Sequence, residues 1–139
     1  MQASGERTVT ERKRVVLVGD HDGDSRTILS EAFERAGYEV DVAADGDGLL
    51  REAATKPVDL VIAELYLPCA TGRCAVRCLK QDEKLRHIPV IVFTTRVLDD
   101  DERWARESGV ERFIRKPASL RALVAVAREL IAAQPARAD

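Results

Sequence analysis

Short apolar runs alternate with segments whose apolar residues recur every three or four positions, and this alternation repeats five times. Arg14–Gly19 (RVVLVG) is rich in β-branched residues and predicts a buried strand. Over Ser25–Ala36 the apolar positions Ile28, Leu29, Ala32, Phe33 and Ala36 fall on one helical face. Asp24 or Ser25 is placed to cap that helix, and Gly37 to stop it. Tyr38–Ala43 predicts a second strand with Val40 and Val42 on one face. Asp45–Thr55 predicts a helix anchored by Leu49, Leu50, Ala53 and Ala54.

Val58–Leu65 (VDLVIAEL) predicts the third strand; Pro68 and Gly72 then mark a loop before a helix over Arg73–Gln81 that carries Val76 and Leu79. Pro89–Thr94 (PVIVFT) is the most apolar strand. Asp99, Asp100, Asp101 and Glu102 follow, where a helix macrodipole favours negative charge, and that helix ends at Gly109. Glu111–Arg115 predicts the fifth strand. Ser119–Ala132 predicts the last helix, with a stripe of Leu120, Leu123, Val124, Ala127, Leu130 and Ile131.

Strands without in/out alternation, separated by helices, point to a parallel sheet covered on both faces. Right-handed crossovers make that an α/β, doubly wound, five-stranded sheet, with the flavodoxin-like order 2-1-3-4-5 expected. The ordered domain is expected over 14–132, with flexible tails at 1–13 and 133–139.

With 139 residues the chain fits one domain. A net charge of −2 offers no general attraction for nucleic acid or anionic lipid. No apolar run approaches the ~20 residues of a membrane span. The polar start MQASGERTVTERKR does not read as a secretory signal, so a cytoplasmic protein is expected. Cys69, Cys74 and Cys78 lack standard zinc spacing and read as buried or half-buried helix thiols.

In such a sheet the reactive crevice lies at the carboxyl ends of the strands. The residues there are Gly19, Asp20, His21 and Asp22 after strand 1, Glu64 at strand 3, Thr94 and Thr95 at strand 4, and Lys116 with Pro117 after strand 5. Carboxylates there suit a hard cation such as Mg2+. A strand-end carboxylate can attack a phosphoryl group, and a lysine with a hydroxyl can hold the transferred oxygens. For Asp22 and Asp24, a helix cap or solvated loop is the favoured reading; for Lys116 a functional role is favoured. Thr94 reads either as part of this set or as a turn residue.

Six segments in order, RVVLVGDHDGDSR, AGYEV, AADGDGLL, PVDLVIAELYLP with Gly72, IPVIVFTT and ESGVERFIRKP, resemble the receiver domain of bacterial response regulators over about residues 14–132. The resemblance implies two-component or phosphorelay signalling, in which a histidine kinase passes phosphate to an aspartate at the end of strand 3 beside Mg2+. It implies that Thr94 is the switch hydroxyl, Phe113 the switch aromatic, Lys116 the phosphate-sensing lysine, and Lys116–Pro117 a cis bond. It also implies that the backbone carbonyl of Tyr66 is a metal contact, and that helix 4, strand 5 and helix 5 form the signalling face.

The departures are sharp. Glu64 occupies the acceptor position, its carboxylate one methylene, roughly 1.5 Å, further from the backbone. The strand-1 acid pair is Asp20 with His21, or Gly19 with Asp20 if the loop carries an insertion; Asp22 substitutes in part at most. The expectation is therefore an atypical, CheY-like pseudo-receiver, not an enzyme, with no cofactor beyond a weak Mg2+ site. Either Glu64 pairs with Lys116 and holds part of an active-like state, or the domain is a scaffold. The alternatives are a phosphorylatable receiver using Glu64 or a nearby acid, and a flavodoxin-like cofactor module, which the acidic GDHDGD loop disfavours. No output domain is expected after residue 132, so output runs through a protein partner: a histidine kinase, an output protein or a second copy. Trp104 is expected on the exposed side of helix 4 as an interface anchor, or packed on the stem of Arg103 or Arg106.

Overall fold

The computed structural model describes residues 13–70, 74–95 and 97–134. The two expected tails lie almost wholly outside that range, as do Gly72 and Arg73. In chain order the elements are β1 (Val15–Gly19), α1 (Gly23–Arg35), β2 (Glu39–Ala43), α2 (Gly46–Thr55) and β3 (Leu60–Ala63). They continue with α3 (Ala75–Gln81), β4 (Val90–Thr94), α4 (Asp101–Glu107), β5 (Arg112–Arg115) and α5 (Leu120–Ala132). The sheet order is β2-β1-β3-β4-β5, parallel throughout, which is the doubly wound order expected.

The three inner strands are buried at every position. Burial on both faces does not extend to the edges: β2 and β5 each keep exposed residues because, among the described residues, one flank has no neighbouring strand. Val42 on β2 is 46% exposed despite sharing a face with the half-buried Val40.

Two apolar layers flank the sheet. Leu49 and Ala53 from α2, Val76 and Leu79 from α3, and Ala105 from α4 pack on one face. Leu29 and Phe33 from α1, with Leu123, Ala127 and Ile131 from α5, pack on the other. Ile28, expected in the core, is instead 51% exposed, and Ala54 is exposed as well. Each lies just off the narrow stripe that its helix buries.

Helix ends carry specific chemistry. Asp22, not Asp24 or Ser25, caps α1; its carboxylate accepts from Ser25 N at 3.1 Å and from the Ser25 hydroxyl at 2.9 Å. Asp45 caps α2 by accepting from Gly48 N at 2.7 Å. Gly37 follows α1 at φ 101° and Gly109 follows α4 at φ 102°, a region closed to most side chains. At Gly46 a Cβ would stand 2.4 Å from the carbonyl oxygen of Pro68 and 2.6 Å from that of Leu67. Only glycine lets α2 come this close to the loop after β3.

The cysteines are not all helical. Cys69 is buried in the β3–α3 loop, Cys74 stands at the N-cap position of α3 without a side-chain capping bond, and Cys78 alone lies within the helix. Burial pushes the Cys74 thiol up, and its Sγ donates to the Leu65 carbonyl at 2.6 Å. Lys80 is buried on α3, its ammonium donating to the carbonyls of Arg86 and Ile88 and to Glu111.

Candidate functional site

Parallel pairing aims β1, β3, β4 and β5 toward one edge of the sheet, and the ladder continues one residue past the strands. Asp20 N donates to Ala43 O at 3.1 Å, Glu64 N to Gly19 O at 3.0 Å, and Lys116 N to Thr94 O at 2.9 Å. Each site residue thus hangs on a neighbouring strand by its own amide, which fixes where its side chain begins. Thr94 ends β4 and is buried. The Lys116–Pro117 bond is cis.

Asp20 is buried. Its Oδ2 accepts from Lys116 Nζ at 2.9 Å, and its Oδ1 accepts from Asp22 N at 2.9 Å. Arg26 donates to its carbonyl at 2.8 Å. Lys116 Nζ also sits 5.3 Å from the Phe93 ring centroid, within cation–π range. The Lys116 ammonium therefore faces the carboxylate of β1.

Glu64 is also buried, and its Oε1 meets His21 Nδ1 at 2.5 Å. A carboxylate offers only lone pairs, so Nδ1 is the donor in this contact. The expected Glu64–Lys116 pair is overturned: Glu64 is tied to His21, and Lys116 to Asp20. One added methylene carries the glutamate head past the lysine to the imidazole at the mouth. His21 Nδ1 is 3.8 Å from Asp20 Oδ1 as well, so His21 bridges the two acids. Asp22 supports the helix instead; the Ser25 hydroxyl and amide hold its carboxyl below the usual range.

The atoms of Asp20, His21 and Glu64 that could bind a cation lie within 4.8 Å of one another. Mg2+ demands near-ideal octahedral oxygen ligation. Here one of three donors is an imidazole, and one oxygen of Asp20 is held by an ammonium. This donor set does not suit Mg2+.

Two residues make a contact that no sequence pattern signals. The Tyr66 hydroxyl, on the loop after Glu64, donates to Asp101 Oδ1 at 2.6 Å. Asp101 also accepts from Leu98 N at 2.5 Å. An acid read only as a dipole partner is thus a buried tie between the site loop and the start of α4. Asp100 before it adopts φ 73° and makes no side-chain cap.

Trp104 is half-buried against the α2–α3–α4 core, under the guanidinium of Arg77 at 5.5 Å. It faces α3, and neither Arg103 nor Arg106 is its stacking partner in that contact; Arg106 pairs with Glu102 and Arg103 with Asp100. Phe113 on β5 is half-buried and packs on the same side of the sheet.

The sequence profile described as "Response regulator receiver domain" matches residues 15–128. The polar-differentiation response regulator DivK of Brucella ovis is 34% identical over 108 residues, 78% of this chain and 87% of that protein. Its counterpart in Brucella anthropi is 33% identical over the same span. Among solved structures, the chemotaxis protein CheY4 of Vibrio cholerae superposes with TM-score 0.76 at 24% identity, covering 86% of this chain and 99% of that one. A CheY-like receiver domain protein of Methanospirillum hungatei superposes with TM-score 0.78 at 22% identity, covering 88% and 96%. These two likenesses speak for the fold.

Proposed function

Because the chain belongs to the response regulator receiver domain family of two-component signalling, we propose that it signals by protein–protein contact without taking phosphate at the strand-3 position. The observation that carries this reading is the exchange of partners at the sheet edge. The Glu64 carboxylate is engaged by His21, and the Lys116 ammonium by Asp20. A nucleophile must approach phosphorus in line, with the cation positioned on the transferred oxygens. Displacement by a methylene, and the lack of a ligand set suited to Mg2+, both work against that geometry. On this reading the protein is a docking module and not an enzyme.

The docking face we favour is α4–β5–α5, contacted by a histidine kinase, an output protein or a second copy. Its support is local: a cavity of about 650 Å³ lies there, lined by Val97, Leu98, Asp99, Arg103 and Arg115 among others. Leu98 is 55% exposed at its rim, an apolar anchor beside charged groups. The Tyr66–Asp101 bond gives the site loop a mechanical link to this face. Three free thiols suit a reducing compartment, which supports a cytoplasmic setting. Among the described residues no helix is long and apolar enough to cross a membrane.

Incubation with acetyl phosphate and Mg2+, followed by intact mass measurement, tests the reading. The expected result is no phosphoryl adduct on the wild type. An adduct that disappears in Glu64→Gln would establish the phosphorylatable alternative instead.

A further inference from the structure

The Asp20–His21–Glu64 cluster disagrees with Mg2+ but fits another class of ion. We infer that this pocket is a site for borderline first-row divalent cations, Co2+, Ni2+ or Zn2+. The inference goes beyond the signalling reading and stands whether or not the chain takes phosphate.

Ligand type is the first ground. Imidazole suits Zn2+, Ni2+ and related ions, whereas Mg2+ selects oxygen. Replacing a strand-1 acid by His21 exchanges a hard donor for a borderline one. Three protein ligands with open positions for water make a known pattern for such ions.

Geometry is the second. At metal–ligand distances of about 2.0–2.2 Å, neighbouring ligand atoms stand roughly 3–3.5 Å apart, and opposed ones about 4.2 Å. The 3.8 Å between His21 Nδ1 and Asp20 Oδ1 lies between these two values and must close by a few tenths of an ångström to reach the neighbouring one. The 2.5 Å between Nδ1 and Glu64 Oε1 must open by about half an ångström or more. His21 can move to allow this, since its side chain is 74% exposed. The two acids cannot move far, being buried at the tips of β1 and β3.

Charge is the third. Two buried carboxylates share the pocket, Asp20 and Glu64, and the Lys116 ammonium pairs with Asp20. That ammonium engages Oδ2 of Asp20; Oδ1, turned toward His21, accepts from Asp22 N through one lone pair and keeps a second. On binding, the Nδ1 proton leaves to solvent and the ion takes its place between the ring and Glu64.

The test uses the full, untagged chain, titrated separately with Ni2+, Co2+, Zn2+ and Mg2+. Melting temperature and the visible absorption of Co2+ are the readouts. Ni2+, Co2+ and Zn2+ should raise the melting temperature at concentrations roughly a hundredfold below any effective Mg2+ concentration. His21→Ala, a change at an exposed side chain, should weaken Ni2+ binding on the order of tenfold or more. His21→Asp should shift preference back toward Mg2+. The chain has two histidines, so His87→Ala is the control and should change nothing. Ni2+ binding that survives His21→Ala, binding lost in His87→Ala, an equal response to Mg2+, or no response to any ion would each overturn the inference.

Discussion

At the residue scale the sheet edge is governed by which opposite charges can reach each other. Asp20 and Lys116 meet because both leave the backbone one residue past a strand, on chains held by cross-strand amides. His21 meets Glu64 at hydrogen-bond distance and stands further, at 3.8 Å, from the shorter Asp20. The same scale decides thiol chemistry. Thiolate is the reactive form, and burial together with the bond to the Leu65 carbonyl holds the Cys74 sulfur protonated. Alkylation by iodoacetamide at pH 8, followed by peptide mapping, should therefore label Cys74 more slowly than a free cysteine. The deficit should shrink as pH rises toward the elevated thiol pKa. Equal rates would show that the sulfur is not shielded. Cys74 reads from the sequence as a helix residue, but its acceptor lies nine positions away, across a loop that no periodicity describes.

At the element scale, contact between α2 and the β3–α3 loop depends on Gly46. Gly46 N donates to Pro68 O at 3.2 Å, and there is no room for a side chain between the two backbones. Gly46→Ala must push the helix and the loop apart, and backbone shifts of this kind cost about 1–3 kcal/mol. Urea denaturation should show that loss with an unchanged m-value. A neutral or stabilising outcome, the usual gain for Gly→Ala in a helix, would mean the close approach is not held in solution. The phase of α4 is also an element-scale matter. The helix has only seven described residues and follows a left-handed Asp100. Ala105 faces the core as the periodicity expects, and Trp104 beside it is still half-buried, because its large ring reaches the core edge at α3 under Arg77 instead of pointing outward. Leu98, by contrast, is exposed at the α4 cavity.

At the scale of the whole molecule, the sheet divides the interior into two apolar layers, and its centre is drier than its edges. β1, β3 and β4 are buried throughout and paired on both sides. Among the described residues β2 and β5 have one flank without a paired strand, so part of their amides lack a cross-strand partner there. Native-state hydrogen exchange should protect β1, β3 and β4 most strongly and release β2 and β5 amides earlier, through local opening. Uniform protection across all five strands would show that opening is global. The Tyr66–Asp101 bond joins residues 35 positions apart, so the site loop and α4 are held to each other across the molecule.

The sequence alone determined the class of fold, the order of the elements and which residues gather at the sheet edge. Those follow from local causes: period 2 or 3.6 in the apolar residues, glycine and proline punctuation, and the rule that parallel strands share one carboxyl edge. It also carried Glu64 and His21 at those strand ends. Only the tertiary structure decided how the charges pair, because Asp20, His21, Glu64 and Lys116 come from three strand ends and the choice among partners turns on differences of an ångström. Side-chain reach, burial and the amides that anchor each residue are set jointly by strands far apart in the chain, and no window of sequence contains them.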